Sequence, residues 1–234
     1  MLIKFIHTVF FYIIMVLSFF VGSFLATCAA PFSRSKTYPF QVVAHGWAKF
    51  LVFFSRTRME VKGLENLPKN TPAILAPNHQ SAADIMILLA GIPKDCRFAV
   101  KKELFRVPFF GWYLKMSGYF SIDREVVLSA YRTLEKIIEI LKAGDNVLIF
   151  PEGTRSRDGS LGRFKRGSLL AALKSGAPII PIAISGSFNI IPRGTWLIHP
   201  SHVKLSIGQP IYIKNETEYD QKVNEVRDTI ARML

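Results

Sequence analysis

The sequence predicts an α/β protein with a mostly parallel central sheet covered by helices, preceded by membrane-associated helices at the amino terminus. Three observations predict it. Short apolar runs bounded by Gly or Pro alternate with longer helical repeats, which is how α/β domains read. Several of these runs are apolar throughout, as strands covered on both faces are. Ahead of them all, no residue from Thr8 to Ala30 carries a charge. A length of 234 residues suits one well-packed domain plus an extra segment, and we divide the chain into an anchor, 1–57, and an α/β domain, 58–234.

The elements follow in order. The run from Thr8 to Ala30 meets the ~20 apolar residues that span a hydrocarbon core. A secretory signal would also place Lys4 before it and small residues near Ala29 and Ala30, but its apolar part is shorter than this run. Phe40 to Ser55 is interrupted by His45 and Lys49 and carries Val43, Trp47, Phe50, Leu51 and Phe54 at helical spacing. That pattern suits a helix lying in the interface or paired with the first, with a core helix of the domain as the alternative. Arg34, Lys36, Arg56 and Arg58 flank the two segments on the domain side and place the domain in the cytoplasm by the positive-inside tendency. Deleting residues 1–55 is expected to lower activity at the membrane far more than it disturbs the fold. Strands are expected at Met59–Lys62, Ala73–Ala76, Arg97–Val100, Tyr119–Ile122, Val147–Phe150, Ile179–Ile184 and Val203–Ile207. The clearest helices run from about Val126 to Ala143, stopped by Gly144, and from about Glu216 to Leu234.

Lys and Arg outnumber Asp and Glu by 30 to 17, a net charge of +13 that calls for an anionic partner. With apolar segments beside it, that partner is an anionic membrane surface and not nucleic acid. Cys28 and Cys96 form no CxxC pair, no zinc site and no disulfide framework, and a reducing compartment fits them. No metal or cofactor is called for.

Two stretches could carry chemistry. In Asn78-His79-Gln80-Ser81-Ala82-Ala83-Asp84, one α-helix holding both His79 and Asp84 would set them about 140° apart and keep them from touching. A helix starting near Ser81 instead lets His79 fold back from the preceding turn toward Asp84. A carboxylate on one imidazole nitrogen fixes the tautomer and frees the other as a general base. Yet Ser81-Ala82-Ala83-Asp84 is also a capping pattern. Both readings stand on these residues alone. In Phe150-Pro151-Glu152-Gly153-Thr154-Arg155-Ser156, polar groups gather outside the carboxyl end of an apolar strand, where α/β proteins place ligands. Arg155 brings planar donors matched to phosphate, with Arg157, Arg163, Lys165 and Arg166 nearby. A serine hydrolase would need a Gly-x-Ser-x-Gly elbow, which the chain lacks.

These blocks resemble the glycerolipid acyltransferases. The first matches their H-x4-D motif and the second their FPEGTRS block. Two more agree in order: Lys101-Lys102-Glu103-Leu104 with Pro108, Gly111, Gly118 and Ile122-Asp123-Arg124, then Ala177-Pro178-Ile179-Ile180-Pro181-Ile182-Ala183. The resemblance covers roughly Gly63 to Ile184 and makes 58–234 an acyltransferase domain. It implies acyl transfer from acyl-CoA or acyl carrier protein to the 2-hydroxyl of 1-acylglycerol-3-phosphate, giving phosphatidic acid. Other lysophospholipids and lyso-ornithine lipid are the alternative acceptors, and a basic lipid-binding membrane protein is the non-enzymatic alternative. It implies His79 as base and Asp84 as its orienting acid. Lys101, Arg124, Glu152, Gly153, Thr154 and Arg155 are implied as substrate-binding residues, with Glu152 expected to hold Arg155 or a glycerol hydroxyl. Backbone N–H groups at the start of the helix after His79, or less directly Lys101, are the expected oxyanion donors.

Overall fold

The computed structural model describes residues 2–33, 35–122, 127–192 and 194–234, so Arg34 and Arg124 lie outside the described residues. Seven strands among them form one sheet: β1 (Arg58–Lys62), β2 (Ile74–Pro77), β3 (Cys96–Lys101), β4 (Phe120–Ile122), β5 (Asn146–Leu148), β6 (Ile179–Ser185) and β7 (His202–Ile207). Their order is β1-β7-β6-β2-β5-β3-β4, and every pairing is parallel except β6 with β7. Each apolar run read from the sequence is a strand, with ends moved by one or two residues. The largest shift is at β5, where the ladder stops at Leu148 and Phe150 leaves the sheet.

The helices are α1 (Leu2–Ala29), α2 (Tyr38–Phe54), α3 (Asp84–Gly91), α4 (Phe110–Met116), α5 (Val127–Lys142), α6 (Leu170–Ser175) and α7 (Tyr219–Met233). The period-2 alternation of strands sends side chains to opposite faces. Leu75, Ile180, Ile182 and Ile184 bury on one face with Ile87 and Leu88 of α3 and with Ala48 and Leu51 of α2. Ile74, Ala76, Val147 and Ala183 bury on the other with Ile140 and Leu141 of α5, Ala171 of α6 and Val226 and Ile230 of α7. α7 starts at Tyr219, three residues later than the sequence suggests, and Asn215 and Glu218 bond reciprocally across the turn before it. The Glu218 N–H donates to Asn215 Oδ1 at 3.1 Å, and the Asn215 N–H donates to Glu218 Oε1 at 3.2 Å.

α1 is inverted relative to a helix of a water-soluble protein. Its polar residues Thr8 and Ser23 are buried, while Ile6, Phe10, Ile13, Leu17, Val21 and Phe24 are exposed. Three polar side chains along α1 are bonded to the rest of the protein: the Ile198 N–H donates to Thr8 Oγ1 at 3.1 Å, Trp47 Nε1–H to Ser18 Oγ at 2.9 Å, and the Tyr12 hydroxyl to the Trp196 carbonyl at 3.0 Å. A large exposed apolar face of this kind suits contact with another apolar phase, and α1 with the turn after it is long and apolar enough to cross a membrane.

α2 has two packing faces. It pairs with α1 and also buries Ala44, Ala48, Leu51 and Val52, completing the cover of α3. Polar bonds fasten it. Gln41 Nε2 donates to the Ser117 carbonyl at 2.6 Å. The buried Arg97 donates to the same carbonyl at 2.7 Å, to Thr37 Oγ1 at 3.0 Å and to Asp145 Oδ2 at 3.2 Å. Removing residues 1–57 would uncover the apolar face of α3, take Gln41 from the Ser117 carbonyl and take Thr37 from Arg97.

His45 on α2 adds a titratable fastener. Its Nδ1 lies 2.7 Å from the Leu89 carbonyl and its Nε2 faces Asp95 Oδ1 at 3.4 Å. The interaction with Asp95 holds the imidazole above its ordinary value, against the cost of burial and with help from the Leu89 carbonyl. A raised value means that the charged pair stabilises the fold fully below the unfolded value of about 6.5 and loses that contribution as pH rises through the folded value. Asp95→Asn should therefore lower the thermal midpoint more at about pH 5.5 than at about pH 8.5. A gap between parent and variant that stays constant across that range would remove His45 from the account.

Candidate active site

The parallel order brings the carboxyl ends of β2, β5 and β6 together at one edge of the sheet, and the site is built there. β2 runs out through Asn78, whose side chain continues the ladder. Its Oδ1 accepts from the Ile184 N–H at 2.7 Å and its Nδ2–H donates to the Ile184 carbonyl at 3.0 Å. The next residue is His79.

α3 begins at Asp84, later than the expected start near Ser81, and the intervening turn folds His79 back onto it. With the buried carboxylate as acceptor, Nδ1 carries the imidazole proton and donates to Asp84 Oδ2 at 2.7 Å. The same oxygen accepts the N–H groups of Gln80 at 2.7 Å and Ser81 at 2.9 Å, and Oδ1 accepts the Ser187 hydroxyl. Cap and dyad are thus one group, since the carboxylate satisfies the turn and orients the histidine together. The arrangement also commits two donors expected for an oxyanion. The Gln80 and Ser81 N–H groups point at Asp84 and cannot serve a substrate.

The second motif reaches His79 from β5. Phe150 peels away from the ladder and stacks on the imidazole, centroids 3.9 Å apart with 19° between planes. Glu152 is buried, and its carboxylate ties the two motifs together. Oε1 accepts the His79 N–H at 2.8 Å, and Oε2 accepts the Gly162 N–H at 2.8 Å. The Ser156 N–H returns to the His79 carbonyl at 2.8 Å, so the turn is fixed from both sides. Both Glu152 oxygens are engaged by backbone, which makes this residue the clasp between the motifs.

Gly153 takes a φ of 71°, a left-handed conformation that favours glycine, and the flexible end of Lys165 crosses over it, 2.6 Å from where a Cβ would stand. Thr154 and Arg155 are exposed on its outer side. Asp158 folds the loop beyond, and its bonds from the Ser160 hydroxyl and N–H and the Ser156 hydroxyl hold its carboxyl down to about 2. Lys101 ends β3 at the same edge of the sheet, exposed and 3.7 Å from Glu103. Arg124 is outside the described residues. The structure thus joins His79, Asp84, Glu152 and Gly153 in one cluster and adds Phe150, Asn78 and Ser187. Phe150 sits inside the second motif but reads as strand. For Ser187 the sequence offers only the turn signal Ser185-Gly186-Ser187 after an apolar run.

An imidazole held at Nδ1 by a buried carboxylate and backed by an aromatic ring is equipped to accept a proton at Nε2. A fold and site of this kind define an acyltransferase: the family model described as Acyltransferase matches residues 58–185, and the chain belongs to that family. It is similar to the 1-acyl-sn-glycerol-3-phosphate acyltransferase of Pseudomonas aeruginosa, with 35% identity over 90% of this chain and 82% of that one. It is also 36% identical to a chloroplast 1-acyl-sn-glycerol-3-phosphate acyltransferase of Arabidopsis thaliana over 82% of this chain. This chain spans about half the length of that plant relative, at 53%. Among solved structures, the 1-acyl-sn-glycerophosphate acyltransferase PlsC of Thermotoga maritima superposes with a TM-score of 0.85 at 30% identity, covering 99% of this chain and 96% of that chain.

The clasp is open to measurement. Glu152→Gln presents an amide NH2 to one of two backbone N–H donors and should cost about 1–3 kcal/mol in chemical denaturation. A variant as stable as the parent would show that the two N–H groups find other partners.

Proposed function

We propose that the protein transfers a fatty acyl group from a thioester, acyl-CoA or acyl carrier protein, to the 2-hydroxyl of 1-acylglycerol-3-phosphate, giving phosphatidic acid. The observation that carries this reading is the His79–Asp84 pair, 2.7 Å apart at the sheet edge beside the Phe150–Ser156 turn. The relatives that share this fold are named for that acceptor.

The chemistry follows from the geometry. A hydroxyl is a weak nucleophile until a base takes its proton during attack. His79 takes it at Nε2 while Nδ1–H stays on Asp84, whose ionised carboxylate stabilises the imidazolium that forms. The acceptor oxygen bonds to the thioester carbon and the C–S bond then breaks. The imidazolium returns its proton to the departing sulfur, so ester and free thiol are the products. The oxyanion between these steps needs donors other than the Gln80 and Ser81 N–H groups, and Lys101 at the end of β3 is the side chain we assign to this edge. Arg155, with Thr154 and the backbone at Gly153, binds the acceptor's phosphate, and Arg124 contributes a further cation. Glu152 serves that site indirectly, by holding the turn against His79. The reaction written this way uses no metal or cofactor.

Both lipids of this reaction live in a bilayer, whereas the thioester carrier is soluble. α1 and α2 hold the catalytic edge at the membrane surface, and the basic residues beside them place that surface on the cytoplasmic side of the cell membrane. The excess positive charge serves anionic lipid and anionic substrates.

Purified protein should convert 1-acylglycerol-3-phosphate and an oleoyl or palmitoyl thioester to phosphatidic acid, and His79→Ala should lower kcat about a hundredfold or more. Conversion that survives this substitution would return the histidine to a structural role. A parent active only on another lysophospholipid would change the acceptor and keep the mechanism. Arg155→Ala should raise KM for the phosphate-bearing acceptor about tenfold or more, the order of a lost charge-assisted bond, and leave KM for the thioester unchanged. A KM change confined to the thioester would move Arg155 to the donor site.

A further inference from the structure

We infer that Ser187 is a positioning residue for acyl transfer, its hydroxyl fixing the plane of the Asp84 carboxylate that orients His79. This rests on the reading of His79 as the base.

The argument begins with how the carboxylate is held. Three donors converge on Oδ2: the imidazole Nδ1–H and the N–H groups of Gln80 and Ser81. Held at that oxygen alone, the group could still turn about its Cβ–Cγ bond, because the terminal torsion of an aspartate is broad. Turning it would carry the Oδ2 lone pair out of line with Nδ1. The Ser187 hydroxyl is the donor that Oδ1 has among the described residues, and it closes that freedom.

The surroundings leave the hydroxyl little choice of partner. Ser187 and Asp84 have no exposed surface, so water does not compete for the proton. The alternative acceptor, Gln80 Oε1, stands 3.5 Å away, while its own amide is tied through Nε2 to the Gly159 carbonyl at 2.7 Å.

The backbone is shaped to deliver this side chain. β6 is zipped to His79's neighbour Asn78 through Ile184 and then turns at Gly186, where φ is 87°. A Cβ at Gly186 would stand 2.1 Å from the His202 carbonyl, so only glycine lets the chain pass β7 and double back. Ser187 is the first residue after that turn. β6 therefore sends one side chain to the dyad, as β2 sends His79 and β5 sends Phe150.

The test is steady-state acyl transfer by the full-length chain in lipid vesicles, comparing parent, Ser187→Ala, Ser185→Ala and His79→Ala. Ser187→Ala should lower kcat about tenfold or more, with KM for thioester and acceptor within about twofold, because orientation of the base is felt in the chemical step. The acidic limb of its kcat profile should move to lower pH, since a carboxylate turned out of line with Nδ1 holds the imidazolium less firmly. The position of that limb is independent of how much of the variant is folded. Should the alanine variant not fold, Ser187→Cys, nearly isosteric with a far weaker donor, carries the same readouts. Ser185→Ala removes a neighbouring hydroxyl that reaches towards the Leu234 carbonyl at 3.5 Å, and should match the parent. A kcat within about twofold of the parent with an unmoved limb overturns the inference, as does a rise in KM alone. His79→Ala separates the two ideas: if it loses activity and Ser187→Ala does not, only the role of Ser187 falls, and if it keeps activity, the base itself was misread.

Discussion

Asp84 has no exposed surface, and an ionised carboxylate in that position persists only if its lone pairs are occupied. The structure occupies them from three places: the imidazole of His79, the turn at Gln80 and Ser81, and the Ser187 hydroxyl beyond β6. Each donor constrains an element. The turn's N–H groups set where α3 begins, the imidazole sets the approach of Phe150, and Ser187 sets the path of the chain beyond Gly186. A single buried charge therefore organises the ends of β2 and β6 and the start of the helix between β2 and β3. Glu152 repeats the device on a second level, spending both oxygens on backbone N–H groups from His79 and Gly162. Two acids thus do for these loops what a ladder does for strands.

Much of the fold was legible in the sequence because its signals are local. The seven expected strands are all present, and the plainest of them, β2 and β6, are apolar because burial on both faces leaves little room for polar residues. The long stripes of α5 and α7 were visible for the same reason. Shorter helices such as α4 and α6 carry too few turns to show a stripe. The dyad was legible as a spacing, His79 five residues before Asp84, but cap and base could not be separated, because the carboxylate does both. Glu152 was identified and its partner was not. A backbone N–H from a distant motif leaves no mark on the residue that bonds it. Ser187 was invisible for a related reason, as only the parallel order of β2 and β6 brings it to Asp84.

The amino-terminal helices show what composition leaves out of a boundary. Apolar content marks α1 and α2 alike as anchor material, and the change from helices to strands suggests a break after residue 57. Yet α2 faces two ways, toward α1 and toward α3, with Gln41, Arg97 and His45 bonding across the seam. A tether would leave the catalytic edge free to tumble above a bilayer. This seam instead fixes the angle between the lipid-facing surface of α1 and the sheet edge that carries His79.

The pairing of β1 has a consequence for how the chain is made. β1 lies at the sheet's edge and bonds to β7 alone, with Arg58 opposite His202 and Lys62 opposite Ser206. A ribosome therefore delivers the first strand long before its partner exists. In the interval α1 and α2 can already pair, while β1 emerges beside them with its hydrogen-bonding groups unmet. Late closure of this kind makes folding slow and non-local, and leaves an exposed strand in waiting. The two paired helices, packed beside the place where β1 emerges, shorten the search that β7 must make when it arrives.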